Sequence, residues 1–311
     1  MKITKELVDY VAGKTGVKET VLVEKDMYLH LLLKELSSDE HFRTHYVFKG
    51  GTCLTKCYLG YYRFSEDLDF SYIRQEEFEG KSEKQIRKQL SEEISGLAKK
   101  LELMSAKLGL EFKADKKDRQ YMEFGGGNKF TTFKVWYESV ELKARQFVKI
   151  QVNYVEKFKY PFKTLEAKNN LGAIDIREFK YLYPDAAEEL LHQPTLKAYD
   201  IREILAEKVR AILTRKGTKA RDFIDVYLIQ KHAHIKIEDI ENQIIDKTKF
   251  MLKYGKYRQN LLEKKDVAPS FKPGGEERLV IKPLDAGFLA YTQNFNKTLG
   301  KIISKINENG R

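Results

Sequence analysis

Residues 47–73 run Val-Phe-Lys-Gly-Gly-Thr-Cys-Leu-Thr-Lys-Cys-Tyr-Leu-Gly-Tyr-Tyr-Arg-Phe-Ser-Glu-Asp-Leu-Asp-Phe-Ser-Tyr-Ile. A short apolar segment ends in Gly50 and Gly51, a helix-like segment follows over 52–59, and a second apolar run carries Asp67 and Asp69. Side chains two apart on a strand share a face. Asp67 and Asp69 therefore project two carboxylates from one side, while Leu68 and Phe70 face the core. Two hard oxygen ligands at that spacing suit Mg²⁺ (or Mn²⁺), which completes its shell with water and substrate phosphates. The Gly50-Gly51-Thr52 turn offers backbone N–H groups that can hold a phosphate ahead of a helix. A phosphate cradle beside paired carboxylates is minimal equipment for phosphoryl or nucleotidyl transfer. Ser65, two residues before Asp67, either binds a phosphate or caps the turn.

Composition narrows the class. The chain has 311 residues, 42% of them hydrophobic, enough for one large domain or two modest ones. No run approaches the roughly eighteen apolar residues of a membrane span. The N-terminal Met-Lys-Ile-Thr-Lys-Glu-Leu lacks the features of a signal peptide. Cys53 and Cys57 make no disulfide framework and read as small buried residues of a reduced, cytoplasmic protein. The net charge of +11 and pI near 9.2 favour a polyanionic partner, nucleic acid first.

Along the chain, 4–36 reads as helical, with Leu29, Leu32, Leu33 and Leu36 at helical spacing. A strand at 46–48, the helix at 52–59 and a strand at 67–73 follow. A charged amphipathic helix spans 81–109 on the stripe Ile86, Leu90, Ile94, Leu97, Leu101 and Leu108. Four strand-like segments come next, at 110–115, 119–125, 129–138 and 142–155. Gly125-Gly126-Gly127-Asn128 marks a hairpin turn rather than a phosphate loop. Residues 174–176 read as a further short strand. From Asp200 onward the chain is mainly helical, with a Pro/Gly loop at about 266–283. A boundary near 160 separates an α/β half, 1–160, from a mainly helical half, 161–311.

The helical half holds a second cluster. Asp200 suits an N-cap, with Glu203 placed for a capping box. Lys208 falls on the same stripe as Ile201 and Ile204. An inward lysine is costly unless it meets an anion, either a protein carboxylate or a ligand phosphate. Asp222 and Asp225 share a face of the next helix. Two readings stay open: a helix hairpin held by an internal Lys208–Asp pair, or Lys208 on a nucleotide phosphate with Asp222 acting on the incoming nucleophile.

Taken together, Gly-Gly-Thr, Arg-Phe-Ser-Glu-Asp-Leu-Asp-Phe, Glu-Lys-Val-Arg-Ala-Ile-Leu and Lys-Ala-Arg-Asp-Phe-Ile-Asp-Val-Tyr appear in one order over about 20–232. In this the chain resembles the AbiEii/AbiGii nucleotidyltransferase toxins of type IV toxin–antitoxin and phage-defence systems, which include the MenT-type toxins. The resemblance implies an α+β fold: a polymerase β-like nucleotidyltransferase core, a mixed sheet with flanking helices, followed by an α-helical C-terminal half that completes the nucleotide site. It implies that Gly50, Gly51 and Thr52 hold the triphosphate of an NTP, with Lys56 and Arg63 near it. Asp67 and Asp69 would bind Mg²⁺, Lys208 would contact the nucleotide, and Asp222 would serve as base. The implied activity is addition of nucleotides to the 3′ end of tRNA, with a cognate antitoxin as partner and the toxin itself a monomer.

Two departures are visible, the first a gap from the glycines to Asp67 longer than in many polymerase β-like enzymes. The wider fold places a third carboxylate on a central strand, and the matching strand here, 148–154, presents the uncharged Gln151 and Asn153. A second metal would then rely on Asp67, Asp69 and the triphosphate, or be absent, which favours one rival reading, an NTP-binding regulator with little catalysis; another keeps the transfer and changes the acceptor to a protein or small molecule. Basic residues interleaved with aromatics at 143–163 (among them Arg145, Phe147, Lys149 and Tyr154) and at 247–258 (among them Lys247, Phe250, Lys253 and Tyr254) are candidate tRNA surfaces. His232 and His234 lack partners for a metal site.

Overall fold

The period-two segment at 67–72 is a strand. Its residues alternate between half-buried Asp67 and Asp69 and fully buried Leu68 and Phe70. This is β2 (Asp67–Tyr72), and it pairs antiparallel with β1 (Tyr46–Lys49), placing Lys49 opposite Asp69. On its other edge β2 runs parallel to Arg145–Asn153, with Asp69 opposite Gln151. Val148, Ile150 and Val152 of that strand are fully buried beside Leu68 and Phe70. Each such side chain stabilises the fold by about 1.5–3 kcal/mol, so the register is set by the buried face.

The computed structural model describes residues 1–264 and 279–308. Contacts group 1–156 with 162–198 in one unit, and 157–161 with 199–311 in a second. The first unit is an α+β body around a mixed seven-stranded sheet. With β3 (Met122–Gly125), β4 (Phe130–Glu138), β5 (Arg145–Asn153), β6 (Lys163–Glu166) and β7 (Thr195–Ala198), the strand order is β3-β4-β5-β2-β1-β7-β6. The stretch 162–198, grouped by the sequence reading with the helical half, supplies β6 and β7 to this sheet.

Helices α1 (Lys5–Thr15), α2 (Thr20–Ser38), α3 (Glu40–His45), α4 (Gly50–Cys53) and α5 (Glu83–Lys107) belong to the same unit. The single helix read over 4–36 is two helices, because Gly16 ends α1 in the left-handed conformation, with φ 71°. Leu29, Leu32, Leu33 and Leu36 are fully buried as expected, but so are polar groups of α2. Glu24 accepts from Ser139 Oγ at 2.6 Å and Val140 N at 2.7 Å. Buried polar groups persist when they are bonded in this way.

Two strand expectations fail for one reason. The segment 110–115 keeps only a bridge from Glu111 to Trp136, and the strand expected from 119 starts at Met122. Asp115 and Asp118 capture the N–H groups of Lys117 and Gln120, which favours turns over a ladder. Likewise 174–176 is not a strand. Asp175 accepts from Arg177 N and Glu178 N and caps α6 (Ile176–Leu182), which leads into α7 (Pro184–Leu190). The hairpin turn at 125–128 is present between β3 and β4.

The second unit is helical: α8 (Ile201–Thr214), α9 (Ala220–Ala233), α10 (Glu241–Leu252), α11 (Gly255–Glu263) and α12 (Gly287–Glu308). Most of the loop expected at 266–283 lies outside the described residues. Asp200 caps α8 through Arg202 N, but Glu203 does not reach back to close a capping box. Its carboxylate is buried, 2.5 Å from Lys247 Nζ, and accepts from the N–H groups of Lys159 and Tyr160. Lys247 is therefore core, not part of a nucleic-acid surface. Tyr154, in the first unit, is fully buried as well and offers no ring for stacking. No described helix is long and apolar enough to cross a membrane.

His30 on α2 gives a pH signature. Its Nε2 donates to the His192 carbonyl at 2.7 Å, inside the first unit. Burial, and then the Lys56 ammonium, push its pKa down to about 3. The folded state thus holds a neutral imidazole, while the unfolded chain gains a proton below about pH 6.5. The stability that neutral His30 allows is present above that pH and is lost as pH falls toward the folded value. In urea unfolding, the advantage of wild type over His30→Gln should narrow by about 1 kcal/mol between about pH 6 and pH 5. A gap that does not change with pH would show that His30 takes up its proton in the folded state too.

Candidate active site

The site begins where β1 stops. Gly50 has φ 76°, a conformation that side-chain-bearing residues rarely adopt. A Cβ added to it would lie 2.3 Å from Asp69 Oδ2, so the Asp69 carboxylate rests against the backbone of the turn. A Cβ on Gly51 would lie 2.5 Å from Arg63 Nη2 and 3.1 Å from Ser65 Oγ. The Thr52 hydroxyl donates to the Asp67 carbonyl, fixing the start of α4 to the start of β2. Gly50, Gly51, Thr52, Arg63, Ser65, Asp67 and Asp69 are thus brought together by one strand pair and the loop between its members. Helix N-termini and glycine turns of this kind present N–H groups to anions.

Arg63 is almost wholly buried and donates from Nη1 to the Phe64 carbonyl at 2.7 Å. That bond holds the guanidinium beside Gly51 rather than letting it sweep through solvent. Past Cys53, α4 continues as a π-helical segment, Leu54–Leu59, where a single α-helix was expected. Within it the Lys56 carbonyl accepts from Lys168 N at 2.9 Å. The Lys56 ammonium, expected near the triphosphate, pairs with Asp26 at 2.8 Å and with the Tyr61 hydroxyl at 2.5 Å. Cys53 and Cys57 are free thiols.

Two residues at the site, Lys49 and Glu156, were not singled out by the sequence reading, and Lys149 was named there only among the basic residues of 143–163. Lys49 is buried, opposite Asp69 in register, and its Nζ lies 3.4 Å from Glu156 Oε2. Glu156 also accepts from Asn153 Nδ2 at 3.5 Å. Lys149 stands opposite Asp67. The register of β1 and β5 against β2 is the signal that places Lys49 and Lys149, and it can be counted once the strands are aligned on Asp67 and Asp69. Glu156 lies beyond the end of β5 and gives no such signal.

The donor set fits one hard divalent cation. Asp67 and Asp69 share a face, and Gln151 opposite Asp69 is an amide whose Nε2 lies 3.4 Å from Thr132 Oγ1. Among the described residues no group of three His, Cys, Asp or Glu side chains is arranged to hold a metal. Two carboxylates suffice where substrate oxygens and water complete the shell.

In the second unit, Lys208 Nζ lies 3.0 Å from Asp222 and 2.7 Å from Asp225, and Arg215 also pairs with Asp222. Burial pushes the Asp222 carboxyl up, but the Lys208 ammonium and the Arg215 guanidinium outweigh it and hold the group below its ordinary value. The internal Lys208–Asp pair is therefore present between α8 and α9.

Residues 31–295 match the family described as nucleotidyl transferase AbiEii toxin, type IV TA system. No curated protein matches the chain. Among solved structures, JHP933 from Helicobacter pylori is 18% identical with a TM-score of 0.44, over 95% of this chain and all of the other. A second H. pylori structure, described as a candidate nucleotidyltransferase, is 18% identical with a TM-score of 0.41, over 94% of this chain and 97% of the other. Resting on the match across 31–295, the chain belongs to the AbiEii family of nucleotidyltransferase toxins from type IV toxin–antitoxin systems.

Proposed function

We propose that this chain transfers a nucleoside monophosphate from an NTP to the 3′ end of an RNA, the acceptor end of tRNA being its target. The observation that carries the reading is the contact of Gly50 with the Asp69 carboxylate, which sets a phosphate cradle beside the metal-binding pair. The 3′-hydroxyl oxygen attacks the α-phosphorus and gives up its proton to water, a new P–O bond forms, the bond from the α-phosphorus to the oxygen bridging to the β-phosphate breaks, and pyrophosphate leaves. The N–H groups of the Gly50–Thr52 turn, Arg63 and Ser65 hold the phosphates. Asp67 and Asp69 hold Mg²⁺, which when bound neutralises charge on the phosphates. This work is positioning and charge stabilisation. Family membership implies a cognate antitoxin, and the net charge of +11 suits an RNA substrate.

The decisive assay incubates the protein with total tRNA, Mg²⁺ and each labelled NTP in turn. Label should enter tRNA with at least one NTP, and Asp67→Ala should abolish both labelling and growth arrest on expression. Label moving with protein or in a low-mass fraction would shift the acceptor, and no label anywhere, with NTP still bound, would favour a regulator.

Gly50→Ala tests the cradle itself. Left-handed backbone costs an alanine about 1–2 kcal/mol, so the protein should still fold. The added Cβ displaces the Asp69 carboxylate, and a shift of about 1 Å is expected to lower kcat about 100-fold. Near-normal turnover would mean that Asp69 does not need its present position.

Lys208→Met separates two roles for that lysine. Removing it leaves Asp222 and Asp225 buried with less countercharge, at a cost of about 3–5 kcal/mol. A purely structural lysine predicts lower stability and an unchanged KM for NTP per folded molecule. The nucleotide contact implied by the family resemblance predicts a raised KM as well.

A further inference from the structure

The face of the sheet that carries Asp67 continues across β5 and β4. Lys149 is opposite Asp67, Lys134 is opposite Lys149, and Phe147 is opposite Trp136. Directly paired residues share a face, so all five side chains stand on one side. The other side is core: Phe133, Val135, Val148 and Ile150 are fully buried. On the Asp67 side, Lys134, Trp136, Phe147 and Lys149 are half-buried and Arg145 is exposed.

The groups are arranged in two rows. The first is Asp67, Lys149, Lys134, at about 4.8 Å per strand. The second, one side-chain repeat along, is Phe147 and Trp136, with ring centroids 4.7 Å apart. The Arg145 guanidinium lies 4.5 Å from the Trp136 ring, and the Lys149 and Lys134 ammoniums lie 5.7 and 5.8 Å from Phe147. Phe147 is then about 8 Å from Asp67 along the face, within reach of the last nucleotides of a strand whose 3′ end is at the carboxylates.

Charge points the same way. Like charges directly opposite each other destabilise a strand pair, and Lys134 and Lys149 are such a pair. Lys134 is offset by Glu123 and Arg145 by Glu111, both surface ion pairs of the kind that exchange readily. Among the described residues Lys149 forms no ion pair. A phosphate between the two lysines would relieve their repulsion.

We propose that this face is the platform for the acceptor, an RNA single strand at its 3′ end. Phe147 and Trp136 stack on unpaired bases, and Lys149 and Lys134 hold the adjoining phosphates. Aromatic platforms flanked by basic residues bind single strands in this way, and a duplex keeps its bases stacked on one another. The proposal rests on the transfer reading above and names where its acceptor lies.

Trp136 is the chain's one tryptophan, so intrinsic fluorescence reports this face directly. A single-stranded RNA of about ten nucleotides should change that emission saturably, and its blunt duplex should not. Phe147→Ala and Lys149→Gln should each weaken binding about tenfold, read by anisotropy of a labelled strand with circular dichroism checking the fold. Lys149→Gln is a surface change and keeps the test open should Phe147→Ala fold poorly. Absence of binding, binding without a change at Trp136, equal binding of the duplex, or unchanged affinity in Lys149→Gln would each overturn the platform. Labelling of RNA with the same KM for RNA in Lys149→Gln sinks the platform and leaves transfer standing. A Trp136 response that both variants weaken, with no NTP labelling any RNA, does the reverse.

Discussion

The antiparallel pairing of β1 with β2 is the constraint on which the site depends. It brings the last residue of β1 opposite Asp69, so the next residue, Gly50, meets the carboxylate itself. There is no slack in this arrangement. A slip of one residue would turn Asp67 and Asp69 toward the core and expose Leu68 and Phe70. The burial of those two side chains, with Val148, Ile150 and Val152 beside them, therefore does more than stabilise a sheet. It fixes which side of the sheet carries acid and how far the acid lies from the glycine turn.

The buried side of the first unit is not purely apolar. Along α2, Glu24, Asp26 and His30 each bind a segment far away in the chain: the turn at 139–140, Lys56 beyond the glycines, and the His192 carbonyl. A buried charge is tolerable only with such partners, and removal of one partner is costly. Lys56 shows the consequence for function. Its ammonium is committed to Asp26 and Tyr61, so it ties the helix after the cradle to α2. The cation beside Gly51 is Arg63 instead, held by its bond to the Phe64 carbonyl.

What the sequence could disclose follows from these forces. Residues 67–72 alternate with period two and flank a glycine pair, so strand, turn and paired carboxylates were all legible from local pattern. Leu29, Leu32, Leu33 and Leu36 were legible as core for the same reason. The short β6 and β7 were not, because four-residue strands exist only by pairing with distant chain. Lys247 read as surface because sequence pattern carries no information on whether a charge has a buried partner. Residues 110–115 read as strand by composition, but Asp115 and Asp118 divert the backbone into turns. The two-carboxylate limit was legible, since Gln151 and Asn153 do stand on the face of Asp69.

Glu156 bears on how that limit is met. It is an acid close to the site, and its carboxylate lies against Lys49, itself opposite Asp69. An ammonium ion-paired to Glu156 makes that residue a poor third metal ligand and adds little net charge beside Asp69. The positive charge on this face nearest Asp67 is then that of Lys149, since Lys134 is paired with Glu123. A polyphosphate approaching the two carboxylates is repelled, and cations a strand or two away reduce that repulsion without occupying the place proposed for a metal. In the proposed reaction two acids would suffice for one cation, because the sheet itself supplies positive charge in the adjoining row.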